Sequence, residues 1–362
     1  MPTPPISRPG GLRHAQALAD AELISSNALE EVHEVAARYS VAVTPIVRSL
    51  IDSTDPDDPV ARQFVPSAEE LVETPTENAD PIGDDTFSPV PGIVHRYRDR
   101  VLLKLLHTCP VYCRYCFRRE RVGTSEAPLS QAEIEAALAY VRSRPDVWEV
   151  ILTGGDPLLL SPRRIKKVVL ALDNIDHLGV IRIHTRVPVV DPDRINRDLI
   201  NALAAEKAVF VVIHCNHPRE LSPAAVTAIR SIIDAGIPVL SQSVLLKGVN
   251  DDVATLEALF RALVRHRVKP YYLHHPDRAP GTRHFRPSLT RGRALVDGLR
   301  GDLSGLCQPT YVLDIPGGHG KVPAGIERTV EAENGHYKVR DAKGIVHAYQ
   351  DEQDGNAQFA SE

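Results

Sequence analysis

Cysteine is scarce in this chain of 362 residues, five in all. The count is odd and nothing marks the chain for an oxidising compartment, so a disulfide framework is disfavoured. No apolar run approaches the roughly 20 residues that a membrane span needs. The proline-rich opening, residues 1–11, lacks the apolar centre of a secretory signal. Neither sign of charge dominates. The net charge of −5 gives no electrostatic footprint for nucleic acid or an anionic membrane. Missing too is a G-x-G-x-x-G run, the mark of a dinucleotide-binding doubly wound sheet. What remains is the composition of a soluble, cytoplasmic globular protein, large enough for one big domain or two ordinary ones.

Three of the few cysteines stand together. Cys109, Cys113 and Cys116 follow a strand-like run and precede a basic tail. Spacings of four and three residues bring three thiolates to one short loop, and thiolates are the ligands that iron–sulfur clusters demand. Three ligands leave one iron open, and an open iron is a place for substrate or cofactor chemistry. Structural zinc, with His107 or His214 as a fourth ligand, is the alternative, although zinc sites usually pair C-x-x-C units. Tyr112, Tyr115 and Phe117, interleaved with Arg114, Arg118, Arg119 and Arg121, suit a site that stacks a heterocycle and receives an anion. A solvated basic face fits the same residues.

Along the chain, helical patterning appears over 14–39, and 52–91 is an acidic, proline-rich wrap or linker with few apolar clusters. Polar ends, 1–11 and 351–362, read as frayed. From residue 101 onward, β-branched runs at 101–107, 148–153, 180–184, 209–214, 239–246 and 270–275 alternate with amphipathic segments. Those segments are 131–144, 163–172, 194–204, 224–235, 253–266 and 289–299. Ser130, Ser161 and Ser222 read as helix caps and Gly236 as a helix stop. The fold class is therefore α/β: an incomplete TIM-like (β/α)6 barrel with an N-terminal helical extension. Its functional residues are expected at the C-terminal ends of the strands.

Unusual residues gather at those ends. Gly154, Gly155 and Asp156 follow the second run; the glycines permit a close backbone approach and Asp156 can accept from an ammonium. A tight turn with an Asp cap is the other reading. Histidines cluster at His214–His217 and His274–His275, and Gln242 lies in the fifth run. Near the C-terminus a strand ends at Asp314, and a glycine-rich turn then displays Lys321. A nucleotide-binding P-loop is excluded, because Ile315 and Val322 stand where its first glycine and its Ser/Thr belong. A lysine on a flexible loop also suits a Schiff base with pyridoxal phosphate.

The run Cys109-Pro110-Val111-Tyr112-Cys113-Arg114-Tyr115-Cys116 resembles the C-x-x-x-C-x-x-C signature of radical S-adenosylmethionine enzymes. With Gly154–Pro157, Ser241–Asn250 and Gly317–Lys321 added, residues 39–339 resemble the lysine 2,3-aminomutase family. The resemblance implies a [4Fe–4S] cluster on Cys109, Cys113 and Cys116, with S-adenosylmethionine chelating its open iron. It matches Gly154, Gly155 and Asp156 to the loop for the methionine amino group, and Gln242 to a segment lining the cofactors. It assigns Lys321 to pyridoxal 5′-phosphate, Arg96 and Arg100 to the phosphate, and Arg118 to the substrate carboxylate. Asp277 and Asp314 match a pair that receives the far ammonium of lysine, where an unpaired charge would be costly. Such a pair favours lysine over glutamate.

The division implied is an N-terminal segment 1–92, a partial barrel 93–304, and a C-terminal segment 305–362 carrying the cofactor lysine. The activity implied is the isomerisation of L-lysine to β-lysine by a radical 1,2-amino shift. An electron donor such as flavodoxin or ferredoxin is the expected partner, and a homo-oligomer the expected state. Asp252 stands where some family members carry a zinc-ligating cysteine, and no cysteine follows Cys307, so no zinc is expected. Rival readings are an aminomutase for arginine or another amino acid, the branch that supplies β-lysine for elongation factor P, and an iron–sulfur protein that only relays electrons or scaffolds a partner.

Overall fold

The computed structural model describes residues 10–124, 127–333, 336–341 and 343–351. The outermost stretches of both polar termini, 1–9 and 352–362, lie outside the described residues. Seven parallel strands form the centre: Arg100–Leu106 (β2), Glu149–Gly154 (β3), Val180–Thr185 (β4), Ala208–His214 (β5), Val239–Val244 (β6), Lys269–His274 (β7) and Thr310–Asp314 (β8). Ile93–Tyr97 (β1) and Lys321–Pro323 (β9) add an antiparallel strand at each edge, and the order runs from β1 to β9 without a crossover. Helices follow each strand from β2 to β7, which is the expected half-barrel of six βα units. The expected boundary at 304/305 does not divide this sheet, since β8 and β9 complete it.

Helix starts obey local chemistry. Ser130, Ser161 and Ser222 each accept a backbone N–H three residues on, and Gly236, at φ +83°, ends the helix Pro223–Asp234. Two expected helices are shorter than patterned. Asn196 caps at Leu199, so the helix begins at Arg197 instead of 194. Within 14–39, Glu22 at φ 58° follows the helix Ala15–Asp20, and a new helix, Leu29–Arg38, begins beyond. A three-stranded sheet that the pattern did not announce follows: Thr329–Glu333 (β10), His336–Arg340 (β11) and Val346–Gln350 (β12).

Strand side chains alternate between two environments. Val101, Leu103 and Leu105 of β2 join the core beneath the helices, and Arg100, Leu102 and Lys104 face the other way. Register carries that second face across the sheet through Arg182, His184, Gln242 and His274 to Asp314. A parallel sheet covered by apolar layers on both sides would not show such a face. It lines a chamber. The sheet curls until its edges meet: the Lys321 N–H of β9 donates to the Tyr97 hydroxyl of β1 at 2.8 Å. The wrap 52–91 closes over that seam, with the Gly317 N–H donating to the Pro81 carbonyl. Among the described residues no helix is long and apolar enough to cross a membrane.

Candidate active site

The cysteine loop leaves the end of β2 and is fixed by its own backbone. Cys116 N–H bonds the Cys113 carbonyl at 3.0 Å, and Gly123 N–H bonds the His107 carbonyl at 2.7 Å. The end of β3 presses against it. A Cβ on Gly155 would stand 2.3 Å from the Thr108 carbonyl oxygen, and one on Gly154, at φ +106°, would stand 2.7 Å from that of Leu106. The close approach that these glycines permit is thus to the cysteine loop itself. Asp156 is buried, and its carboxylate accepts from Thr185 Oγ1 and Arg186 N at 2.7 Å, Leu158 N at 3.1 Å and Val187 N at 3.2 Å. Four donors of the chain surround it, and it caps the short turn Pro157–Leu159.

The basic residues of this loop divide. Arg114, 2% exposed, donates to Glu70 through Nε at 3.0 Å and Nη2 at 2.6 Å, and Arg119 bonds the same carboxylate. These two arginines pin the loop to the wrap. Arg121 pairs with Asp85. Arg118 points elsewhere, as described below. The thiols sit among buried groups. Burial, then the nearby Asp156 and Cys116, pushes Cys109 far up, and burial with Cys113 beside it pushes Cys116 up to about 11. Such thiols ionise readily only against cationic metal. Arg186 donates to Cys113 Sγ at 2.7 Å, itself anchored by Glu220 at 2.6 Å and Gln63 at 2.8 Å. Among the described residues no three His, Cys, Asp or Glu side chains close around one point as a single ion requires. A four-iron cluster asks instead for one thiolate at each of three different irons.

Lys321 enters the chamber from the opposite edge. Its ammonium bonds Asp314, and His274 Nδ1 lies 3.7 Å from the same carboxylate. Burial alone would raise Asp314, but the His274 ring and the Lys321 ammonium outweigh it and hold the carboxyl well below its usual range. Asp277 behaves oppositely. Burial, then the Asp314 charge, pushes it up to about 7, and the charges of Lys321, Arg118 and Arg96 reach it as well. The acidic pair, the lysine and two arginines therefore share one space.

Arg96 and Arg118 both bind Asp84. Arg96 Nη2 reaches one oxygen at 3.0 Å, and Arg118 reaches the other through Nε at 2.9 Å and Nη2 at 2.8 Å. The Arg96 Nε is buried without a partner among the described residues. Arg100 lies over the Tyr97 ring at 3.8 Å and pairs with Asp99 at 2.7 Å, at the edge of the chamber. Gln242 Nε2 lies 3.4 Å from His184 Nδ1, and His184 Nε2 is another buried atom without a partner among the described residues. His214 is committed to the Tyr115 hydroxyl at 2.8 Å, and Asp252 caps the helix Val253–Arg265.

Residues 103–259 match the radical SAM superfamily. The chain is 40% identical to L-lysine 2,3-aminomutase of Clostridium subterminale over 88% of its own length and 77% of that protein's. It is 41% identical to L-lysine 2,3-aminomutase of Acetoanaerobium sticklandii over 85% and 75%. Glutamate 2,3-aminomutase of Clostridioides difficile is more distant, 33% identical over 89% and 76%. The chain belongs to the lysine 2,3-aminomutase family. Enzymes of this family work with a [4Fe–4S] cluster, S-adenosylmethionine and pyridoxal phosphate.

The residues present suit those groups. The loop after β2 carries three soft thiols, and β9 carries a lysine paired with Asp314. Arg96 Nε is a buried donor suited to a phosphate oxygen. Four residues of this aminomutase site were not singled out from sequence: Tyr97, Asp84, Glu70 and Arg186. Arg186 left a trace, as a charge inside an apolar run after β4, and Lys104 left the same trace inside β2. Glu70 and Asp84 left none, being two acids among many in the wrap.

Proposed function

We propose that this chain interconverts L-lysine and β-lysine by a 1,2-amino shift. The cluster and S-adenosylmethionine supply radical initiation, and pyridoxal phosphate supplies the π-system through which nitrogen can move. In this reading Cys109, Cys113 and Cys116 each hold one iron. Gly154 and Gly155 set the wall of the S-adenosylmethionine site, with Gln242 across from them. Lys321 anchors pyridoxal phosphate, and Arg96 and Arg100 take its phosphate. Arg118 takes the substrate carboxylate.

The observation that carries the reading is the acid pair. Asp277 and Asp314 lie within the charge range of Lys321, and Arg118 and Arg96 also act on Asp277. The Asp314 carboxylate, which pairs with the Lys321 ammonium here, would take the substrate's far ammonium in its place. Two carboxylates there stabilise lysine and repel the acidic side chain of glutamate. An external electron is required. A small carrier such as flavodoxin or ferredoxin fits that role, with the chain acting in the cytoplasm as a homo-oligomer.

An anaerobic assay with reconstituted protein, S-adenosylmethionine and a strong reductant tests this, read by amine-specific mass spectrometry over lysine, arginine and glutamate. β-Lysine as the main product is expected. A product from arginine or glutamate but not lysine overturns the choice of substrate. Lys321→Ala is expected to lose the borohydride-reducible imine and to lose turnover by at least about a thousandfold. An imine that persists in that variant would assign the cofactor to another lysine.

A further inference from the structure

A zwitterionic substrate poses an electrostatic problem to this chamber. Cations must stand ready for a carboxylate and a phosphate, and anions for an ammonium, within one partly buried space. Left to themselves, buried opposite charges pair with one another, because attraction is strong where water is scarce. Arginine reaches far on a flexible stem, so nothing in the covalent chain prevents Arg96 or Arg118 from closing onto the acid pair. Their charges already reach Asp277.

Asp84 holds both arginines. Its carboxylate takes Arg96 at 3.0 Å on one oxygen and Arg118 at 2.9 and 2.8 Å on the other, and the side chains of Asp84, Arg96 and Arg118 are 8%, 9% and 15% exposed. Asp84 is itself held in place. Its N–H donates to Asp80 Oδ1 at 2.8 Å, and a Cβ on neighbouring Gly83 would stand 3.0 Å from the Gly317 carbonyl carbon. The wrap therefore touches the lysine loop at Gly83 and grips both arginines one residue later. One carboxylate against two guanidiniums leaves a positive balance, which Lys104 on β2 increases. Asp84 feels the charges of Arg118, Lys104 and Arg96.

We propose that Asp84 is a positioning residue: it fixes Arg96 and Arg118 for the phosphate and carboxylate, and keeps them off Asp277 and Asp314. The proposal rests on the aminomutase reading above. It treats the wrap as part of substrate recognition, by holding the two ends of a lysine site apart.

The test uses Asp84→Asn and Asp84→Glu in the reconstituted full-length enzyme. Pyridoxal phosphate Kd is titrated by absorbance, and lysine KM and kcat are measured anaerobically. For Asp84→Asn, Kd and KM both rise by about tenfold while kcat falls by no more than about threefold. Asp84→Glu keeps both grips and stays within about threefold of wild type. Adding Asp277→Asn to Asp84→Asn recovers part of the lost cofactor affinity, because the released arginines then have one acid fewer to close upon. Unchanged or tightened Kd in Asp84→Asn, purely additive effects in the double variant, or a loss confined to kcat would each overturn the proposal. Should Asp84→Asn fail to fold, a loss in Asp84→Glu beyond about threefold overturns it alone. A wild type that binds pyridoxal phosphate but does not turn over lysine counts against the aminomutase reading instead, and the Kd comparison still decides the role of Asp84.

Discussion

Asp277 and Asp314 show how far one residue type can be driven apart by its neighbours. Asp314 faces His274 and an ammonium, and stays ionised. Asp277, buried and repelled by Asp314, is pushed up to about 7. If Asp277 receives lysine's ammonium as proposed, only its ionised form pairs with it, so lysine KM is expected to fall as pH rises through about 7 and to level off above it. Stability takes the opposite sign. A carboxyl raised in the folded state holds a proton that the unfolded chain releases, so folding loses stability as pH rises from 3.8 to about 7. Asp277→Asn removes that loss. Calorimetry of the cofactor-free protein at pH 8 is expected to give a higher Tm for the variant, which nonetheless fails to turn over lysine. An equal or lower Tm would mean that Asp277 is not strained in the chamber. Both aspartates were legible in the sequence as a pair only through the family resemblance, because composition cannot tell a buried acid from a capping one.

Among the elements, what could be read early was local. Ser130, Ser161 and Ser222 cap helices that begin one residue later, and Gly236 ends one, since each effect spans only a few residues. The strands β2 to β7 were legible for the same reason: their apolar runs and the helices between them repeat. The pins that hold the cysteine loop were not, because Glu70 meets Arg114 from 44 residues away. That pin is testable. In Glu70→Gln, two buried guanidiniums lose their counter-ion, at a cost of about 3–5 kcal/mol. Denaturant unfolding reads the loss, and iron content after reconstitution is expected to fall with it. Burial alone would raise Glu70, but Arg114 and Arg119 depress it below its ordinary 4.5. The pin is therefore fully present above that value and is lost as pH falls through the depressed one. A variant as stable as wild type, with full cluster content, would show that the loop holds itself.

At the scale of the whole molecule, the sheet is the scaffold and its two edges are the chemistry. The three clustered cysteines leave the β2 side, Lys321 arrives on β9, and a bond from Lys321 N–H to Tyr97 joins the edges. The sequence carried no local sign of this closure, since it depends on curl accumulated over nine strands. The sheet β10–β12 stands apart from that logic. Its β12 is exposed along its whole length, Val330, Val346 and Tyr349 are exposed, and Arg328 ties the segment to Asp297 of the helix Leu289–Gly298. A small sheet with so little apolar burial opens at low free-energy cost. The strands β10, β11 and β12 are therefore expected to exchange amide hydrogens and to be cut by protease first, at rates unrelated to global unfolding. The strands β2 to β8 should exchange only through that global event. Pyridoxal phosphate affinity is expected to survive the cut, because Lys321, Asp314 and Tyr97 all precede it. Exchange of β10–β12 as slow as that of β5 would show that this sheet is covered in solution, and a cut that releases the cofactor would make it part of the chamber after all.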